Sequence, residues 1–222
     1  MAQGVSKPLH VFNQQGSMNP SKIVKQLYSP EDTEQIHPSI HDLGIKLLAD
    51  KFQSSNQMTV AILLAIKEVI KDFKQTKKMI YHQELLQLIR DKIVPYLEKC
   101  RRFFSGTDYA MQYLRTQITK IAPRSSGLSE MKEELFKILD EFINERIIFA
   151  QDALVKNALT LFSDKEEEVF LVYGSKESHT LELIFKEACQ MKKKFRVIVV
   201  DSAPDYLGRS MVKRVASLGI KC

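Results

Sequence analysis

Any chemistry in this chain would have to start where reactive or charged side chains sit at informative intervals. Gly174 follows the apolar run Glu168-Val-Phe-Leu-Val-Tyr173 and precedes Ser175, Lys176, Glu177 and Ser178, a strand–turn–helix context. One glycine does not make a dinucleotide fingerprint, which needs others to bring backbone up to a pyrophosphate and to seat the helix. A single phosphate could still sit at the helix N-terminus, where unpaired N–H groups and the macrodipole favour an anion, with Ser175 and Ser178 as added donors; a tight structural turn accounts for the same residues. Asp201 ends the second apolar run, Phe195-Arg-Val-Ile-Val-Val200. Open α/β sheets place ligand-contacting acids there, although Asp201-Ser-Ala-Pro204 is also an ordinary turn initiator.

His37 and His41 are four residues apart, an interval that can bind a metal, but no glutamate base and no third ligand is near them. No Ser, His and Asp set has the context of a nucleophile elbow. Arg101 and Arg102 share a connection with Phe103 and Phe104, a basic and aromatic cluster suited to a partner or a phosphate-bearing surface; packed aromatics with solvated neighbours are the plainer reading. Lys192-Lys-Lys194 falls where a helix ends and complements its dipole. The residues therefore predict no catalytic group, no metal and no cofactor.

The elements that position these residues divide the chain in three. Residues 1–34 are polar and punctuated by Gly4, Pro8, Gly16, Pro20 and Pro30, an extension with at most a short helix around residues 23–28. From 35 to 164 the apolar spacing is helical. Pro38 opens the first helix, Ser54-Ser-Asn56 caps a second that is apolar almost all round, and Tyr81 to Tyr96 forms a third, bent or ended by Pro95. A fourth runs from Tyr109 to Ile121, and a long fifth from Ser129 to about Phe162. From 165 to 222 the order is strand, Gly turn, helix, strand, which only a parallel sheet uses. Both strands are continuous apolar runs, so both faces of the sheet are expected to be covered. With one helix after the second strand before Cys222, the sheet reads as incomplete and the sequence as cut short.

Composition agrees with a globular chain: 222 residues, 44% hydrophobic and 27% charged, enough for a core and too mixed in sign for wholesale disorder. The net charge of +6 is spread along helices that also carry Asp and Glu, so it does not by itself mark a nucleic-acid binder, and no recognition module of that class is present. Cys100, Cys189 and Cys222 are odd in number and far apart, and read as free thiols in a reducing, cytosolic setting. No segment approaches 18 uninterrupted apolar residues, so no membrane span is expected.

Six segments in order carry a resemblance: Ile36-His-Pro-Ser-Ile-His-Asp-Leu-Gly44, Ser54-Ser-Asn56, Cys100-Arg101 with Ser105, Glu145-Arg-Ile-Ile-Phe-Ala150, Val169-Phe-Leu-Val-Tyr-Gly174 and Phe195-Arg-Val-Ile-Val-Val-Asp-Ser-Ala-Pro204. Together they resemble the family of alpha, beta and delta regulatory subunits of eukaryotic translation initiation factor 2B, the delta type most of all. The resemblance implies a helical domain followed by a Rossmann-like domain, in a non-catalytic subunit of the cytosolic complex that exchanges guanine nucleotide on initiation factor 2. It implies as partners the alpha, beta, gamma and epsilon subunits of that complex, and the alpha subunit of initiation factor 2 with its phosphorylated form. Glu145 and Phe149 match family positions facing the latter. Their spacing of four puts them on one helix face, and from periodicity alone Phe149 would be core and Glu145 a solvated charge. Family members continue for more than a hundred residues beyond this chain's last residue.

The same architecture resembles methylthioribose-1-phosphate isomerases, the enzyme alternative. Those carry a reactive cysteine just after the first strand and an aspartate further on. Here the cysteine position is Gly174, and the region that would supply the aspartate is absent.

Overall fold

The computed structural model describes residues 36–52, 54–75, 80–125, 127–163, 167–174, 179–204 and 206–222. The proposed short helix at 23–28 and the Ser175–Ser178 turn lie outside them. Among the described residues the order is helices followed by a parallel βαβα unit. Helix α1 is Pro38–Leu48 and α2 is Ser55–Asp72. Helix α3 joins Tyr81–Gln87, a π-helical Leu88–Ile93 and Val94–Cys100, and α4 is Ser105–Ile121. Helix α5 joins Leu128–Glu141, a π-helical Phe142–Ile148 and Phe149–Leu159. Strands β1, Glu168–Tyr173, and β2, Phe195–Val200, flank α6, His179–Gln190, and α7, Gly208–Ser217, follows.

Local chemistry sets several helix ends. The His37 Nδ1 accepts from the Ser39 N–H at 3.2 Å with Pro38 in the first turn, and the Ser54 hydroxyl accepts from the Gln57 N–H at 3.2 Å. Helix α4 begins at Ser105, one turn before the expected Tyr109. Tertiary contact explains the difference, because the earlier start buries Phe103 and brings Thr107 to a hydrogen bond with Thr59 of α2 at 2.8 Å. The Thr59 hydroxyl already donates to the Ser55 carbonyl at 2.9 Å, so its partner in that pair is the Thr107 hydroxyl, which donates to it. The two positions should therefore respond unequally to valine. Thr59→Val strands a buried donor and should lower stability by about 1–3 kcal/mol, whereas Thr107→Val removes one acceptance and should cost about 1 kcal/mol. Urea denaturation of the two variants measures the difference, and a larger loss for Thr107→Val would mean the donor direction is reversed.

Both long interrupted helices share a cause. Buried Leu85, Ile89, Ile93 and Leu97 of α3, and Met131, Leu135, Leu139, Ile143 and Ile147 of α5, recur strictly every four residues. In an α-helix each such step overshoots a full turn by roughly 40°. A wider π-turn takes up the excess: the Val94 N–H bonds to the Ile89 carbonyl and the Phe149 N–H to the Asn144 carbonyl, five residues back. In α3 the widened turn also accommodates Pro95, so the helix passes through it and runs on to Cys100 instead of ending near Tyr96. Helix α4 mixes steps of three and four and stays α-helical; in α2, Met58, Ile62, Ile66 and Ile70 also recur every four residues, but Thr59, Leu63 and Val69 widen the buried stripe enough to hold the drift, and the helix stays α-helical as well. Helix α2 is less uniformly buried than its composition suggests, since Leu64 is 47% exposed.

One core unites α1 to α4 with α5 as far as Ile147. Helix α1 crosses α3 closely at Gly44, where a Cβ would lie 2.8 Å from the buried Tyr96 ring and 3.1 Å from its hydroxyl. Burial, with the Cys100 thiol and the Asp42 carboxylate nearby, raises the Tyr96 phenol above its ordinary value. A phenol raised in the folded state gives stability that is complete below the unfolded value of about 10 and is lost as pH rises beyond it. Stability should therefore fall above about pH 10, and Tyr96→Phe should flatten that limb in denaturation at a series of alkaline pH values. An unchanged limb would clear Tyr96.

A second core starts within α5 at Val155, takes in Phe162, and closes around Ile184, Phe185 and Ala188 of α6, Phe195 and Val197 of β2, Met211 and Val215 of α7, and Ile220. The two strands pair in parallel from Glu168 with Phe195 to Tyr173 with Val200, and Lys221 adds one bridge at the outer edge of β2. The expectation of a sheet covered on both faces is corrected here. Phe170 and Val172 of β1 and Phe195, Val197 and Val199 of β2 face the second core, while the opposite face, Val169, Leu171, Tyr173, Ile198 and Val200, is open, with Leu171 68% exposed. Helices α6 and α7 share in a core on one side only.

Candidate functional site

The carboxyl ends of β1 and β2 are where an α/β unit would hold a ligand, and close backbone packing governs them here. Gly174 donates its N–H to the Val200 carbonyl at 2.8 Å and lies against the first turn of α7. A Cβ on Gly174 would stand 2.3 Å from the Gly208 Cα and 2.7 Å from its nitrogen, inside any permitted contact. The position that bears a reactive cysteine in the isomerases thus has no room for a side chain. Asp201 uses one carboxylate oxygen to accept from the N–H groups of Ser202 and Gly208, both at 2.9 Å, and so caps α7. Of its two readings the turn role is the one seen. The Tyr173 hydroxyl and Ser202 Oγ are 2.6 Å apart at the open side.

The two histidines have structural partners. His37 caps α1 and its Nε2 stands 3.1 Å from an Asp72 carboxylate oxygen, and His41 Nδ1 is 3.9 Å from Asp42. Among the described residues no group of three or more His, Cys, Asp or Glu is placed to hold a metal. No helix among them is long and apolar enough to cross a membrane.

The four residues singled out by sequence fall on two elements. Arg101 and Arg102 lie at the α3–α4 junction. The Arg101 guanidinium donates to Asp50 at 2.7 Å, just beyond α1, and stands 5.7 Å from the centre of the Phe104 ring. Asp50 occupies the left-handed region at φ 51°, a conformation an aspartate tolerates, so this ion pair fastens the end of α1 to the junction. Phe103 is buried and Arg102 is exposed. Of the cluster, Arg102 alone presents its charge outward.

Glu145 and Phe149 are on α5 and both are exposed, Phe149 by 61%. The π-turn lies between them: Glu145 is inside it and Phe149 is the first residue beyond. Periodicity alone would put Phe149 in the core, but the residues of this stretch that enter it are Phe142, Ile143 and Ile147. On another side of α5, its middle and the start of α2 enclose a groove of about 320 Å³ walled by Val60, Ala61, Leu64, Ile147 and Ile148, which neither Glu145 nor Phe149 lines. Asn56 and Gln151 bridge it at one end with a 3.3 Å hydrogen bond. Sequence reasoning missed the groove, whose only sign was Leu64, an apolar residue on the solvent side of α2. The groove can seat an apolar side chain, and the separate Glu145 face can offer a carboxylate to a cation; the groove lining holds no nucleophile and no acid–base pair.

Comparison with known proteins agrees with this architecture. The family model described as the initiation factor 2 subunit family matches residues 51–222. Among curated proteins, translation initiation factor eIF2B subunit delta of Dictyostelium discoideum is 33% identical over 192 residues, 86% of this chain and 30% of that protein. The subunit of the same name from Schizosaccharomyces pombe is 32% identical over 189 residues, 85% of this chain and 39% of that one. The chain therefore spans 30% and 39% of the length of these two curated relatives. Among solved structures, the tetrameric eIF2B-beta2-delta2 complex from C. thermophilum aligns with a TM-score of 0.75 at 24% identity, over 84% of this chain and 58% of that one. The structure of eIF2B delta from Chaetomium thermophilum aligns at 0.73 and 24%, over 84% and 66%. At that identity the structural likeness speaks for the fold. With the family model covering most of its length, and with the helical core and parallel βαβ unit in place, the chain belongs to the initiation factor 2 subunit family.

Proposed function

We propose that this chain acts as a regulatory, non-catalytic subunit of the cytosolic guanine-nucleotide exchange complex that serves translation initiation factor 2. In this reading it assembles with the alpha, beta, gamma and epsilon subunits of factor 2B and helps to sense the phosphorylated alpha subunit of factor 2. The observation that carries it is the outward face of α5, where Phe149 is 61% exposed, has no core role and shares the helix surface with the exposed Glu145. A large exposed aromatic next to a charge is the kind of surface protein partners use. The delta-subunit names of the relatives support the choice of complex. The division into an extension at 1–34, a helical domain at 35–164 and an incomplete Rossmann-like α/β domain at 165–222 belongs to the same proposal.

Electrostatics assigns the roles within this reading. A phosphate adds roughly −1.5 to −2 charge, which Glu145 repels, so Glu145 serves to meet a basic side chain of the partner. Arg102 is the member of the set able to favour the phosphate itself. The isomerase alternative fails on the Gly174 backbone contact. Expression of the tagged chain in a eukaryotic cell should co-purify the other four subunits in stable amounts. Recovery of the chain alone, or with RNA only, would sink the proposal.

A further inference from the structure

The two edges of the parallel sheet differ. Beyond β2, the Val197 N–H donates to the Lys221 carbonyl at 2.9 Å, which begins to cover that edge. Beyond β1, no strand or bridge lies among the described residues. The ladder fixes what this free edge offers. Glu168 donates its N–H to the Lys194 carbonyl at 3.2 Å and Gly174 to that of Val200 at 2.8 Å, and alternate residues of a strand turn their backbone groups the same way. Phe170 and Val172 therefore also face β2, and Val169, Leu171 and Tyr173 hold their N–H and carbonyl groups out from the sheet.

Free edges are commonly blunted by a lysine, a proline or a bulge. Strand β1, Glu168-Val-Phe-Leu-Val-Tyr173, has none of these, and its register with β2 runs without interruption. The second core is unfinished on the same side. Phe195 and Val197 of β2 are 8% and 1% exposed, whereas Phe170 and Val172, on the same face of β1, are only partly buried. A strand laid along β1 would pair the backbone groups and cover these side chains.

The strand that fits is β1 itself. Directly opposed residues of antiparallel strands share a face, so two copies of β1 match only where the opposed positions are both odd or both even. Leu171 opposite Leu171 obeys this and gives the longest overlap: Val169 opposes Tyr173 on the open face and Phe170 opposes Val172 on the core face. It also makes Val169, Leu171 and Tyr173 the hydrogen-bonded positions, for about six bonds in all. We propose that β1 pairs antiparallel with β1 of a second copy of this chain, about a two-fold axis at Leu171, joining the two sheets into one. So short a ladder buries less than the roughly 1,200 Å² of a standard interface, so the dimer is a weak one that forms at high concentration. This self-association is separate from the subunit partners proposed above.

Cross-linking of the full chain tests this. Across the axis the two Leu171 Cα atoms lie about 5.5 Å apart, within the span of a disulfide. In a chain whose exposed Cys222 is replaced by Cys222→Ser, Leu171→Cys should link two copies under mild oxidation roughly ten times faster than Tyr173→Cys or Ile198→Cys. Tyr173 falls about 14 Å from its own counterpart, and Ile198 lies a strand further from the axis. All three side chains are exposed on the open face, so the substitutions leave the core intact. Leu171→Lys, which sets like charges opposite each other on the axis, should stay monomeric in sedimentation at concentrations where the parent and Ile198→Lys dimerise. Equal linking at Leu171 and Ile198 would mean that the open faces stack on each other and would overturn the proposal. A parent that stays monomeric at about 1 mM overturns it too, as does a Leu171→Cys chain that links in cells only to a different protein.

Discussion

Gly174→Ala should destabilise the α/β unit by about 3 kcal/mol or more while leaving the helical core folded. The added methyl would meet backbone, the Gly208 Cα at 2.3 Å, and no rotamer change can relieve a backbone contact. Inserting a methylene into a packed core costs typically 1–3 kcal/mol, and more when nothing can yield. Relief would require β1 and α7 to separate, which would stretch the Gly174 hydrogen bond to Val200 and the Asp201 cap on Gly208. The damage should stay local, since the two cores part within α5 between Ile147 and Val155. Far-UV circular dichroism in urea suits a chain without tryptophan, with amide exchange to locate the loss. Exchange should quicken across 168–222 and hold across α1 to α4. Gly174→Cys, which restores the isomerase residue, should behave at least as badly, and its stability matching the parent would remove the steric argument against that chemistry.

Much of this fold is legible in the sequence because local signals and tertiary packing agree. Ser54 at an N-cap, Pro38 in a first turn, and two β-branched apolar runs around a helical one all mean what their types suggest. Where the reading fell short, non-local contacts decided. The start of α4 depends on Thr107 finding Thr59, forty-eight residues away in the chain. The open sheet face depends on which neighbours the strands have, and Leu171 is as apolar whether covered or bare. The π-turns were not legible: the four-residue spacing of Leu85, Ile89, Ile93 and Leu97 also occurs at Met58, Ile62, Ile66 and Ile70 of α2, which stays α-helical. Among the candidate site residues, Arg101 illustrates the limit of type and spacing. A basic residue among aromatics in a connection suits a partner surface, yet its side chain is engaged by Asp50, and only the fold brings that carboxylate near.

Glu145→Lys in the assembled complex should weaken inhibition by the phosphorylated factor roughly tenfold, about 1.4 kcal/mol of interaction. Reversal removes the attraction for a basic partner side chain and substitutes a repulsion, whereas Glu145→Gln removes only the attraction and should fall between. The fold should not notice either change: Glu145 is exposed, and surface substitutions of this kind stay within about 0.5 kcal/mol. Phe149→Ala is the companion variant. Its ring adds little to the core, so a loss of inhibition with an unchanged unfolding midpoint would mark it as a contact. The measurement is nucleotide exchange by the complete complex with and without phosphorylated factor, alongside thermal unfolding of each variant. Inhibition unchanged in both Glu145→Lys and Phe149→Ala would remove this face from the sensing site. A fall in stability well beyond 0.5 kcal/mol would instead make the π-turn the reason for these residues, with Glu145 and Phe149 holding its geometry.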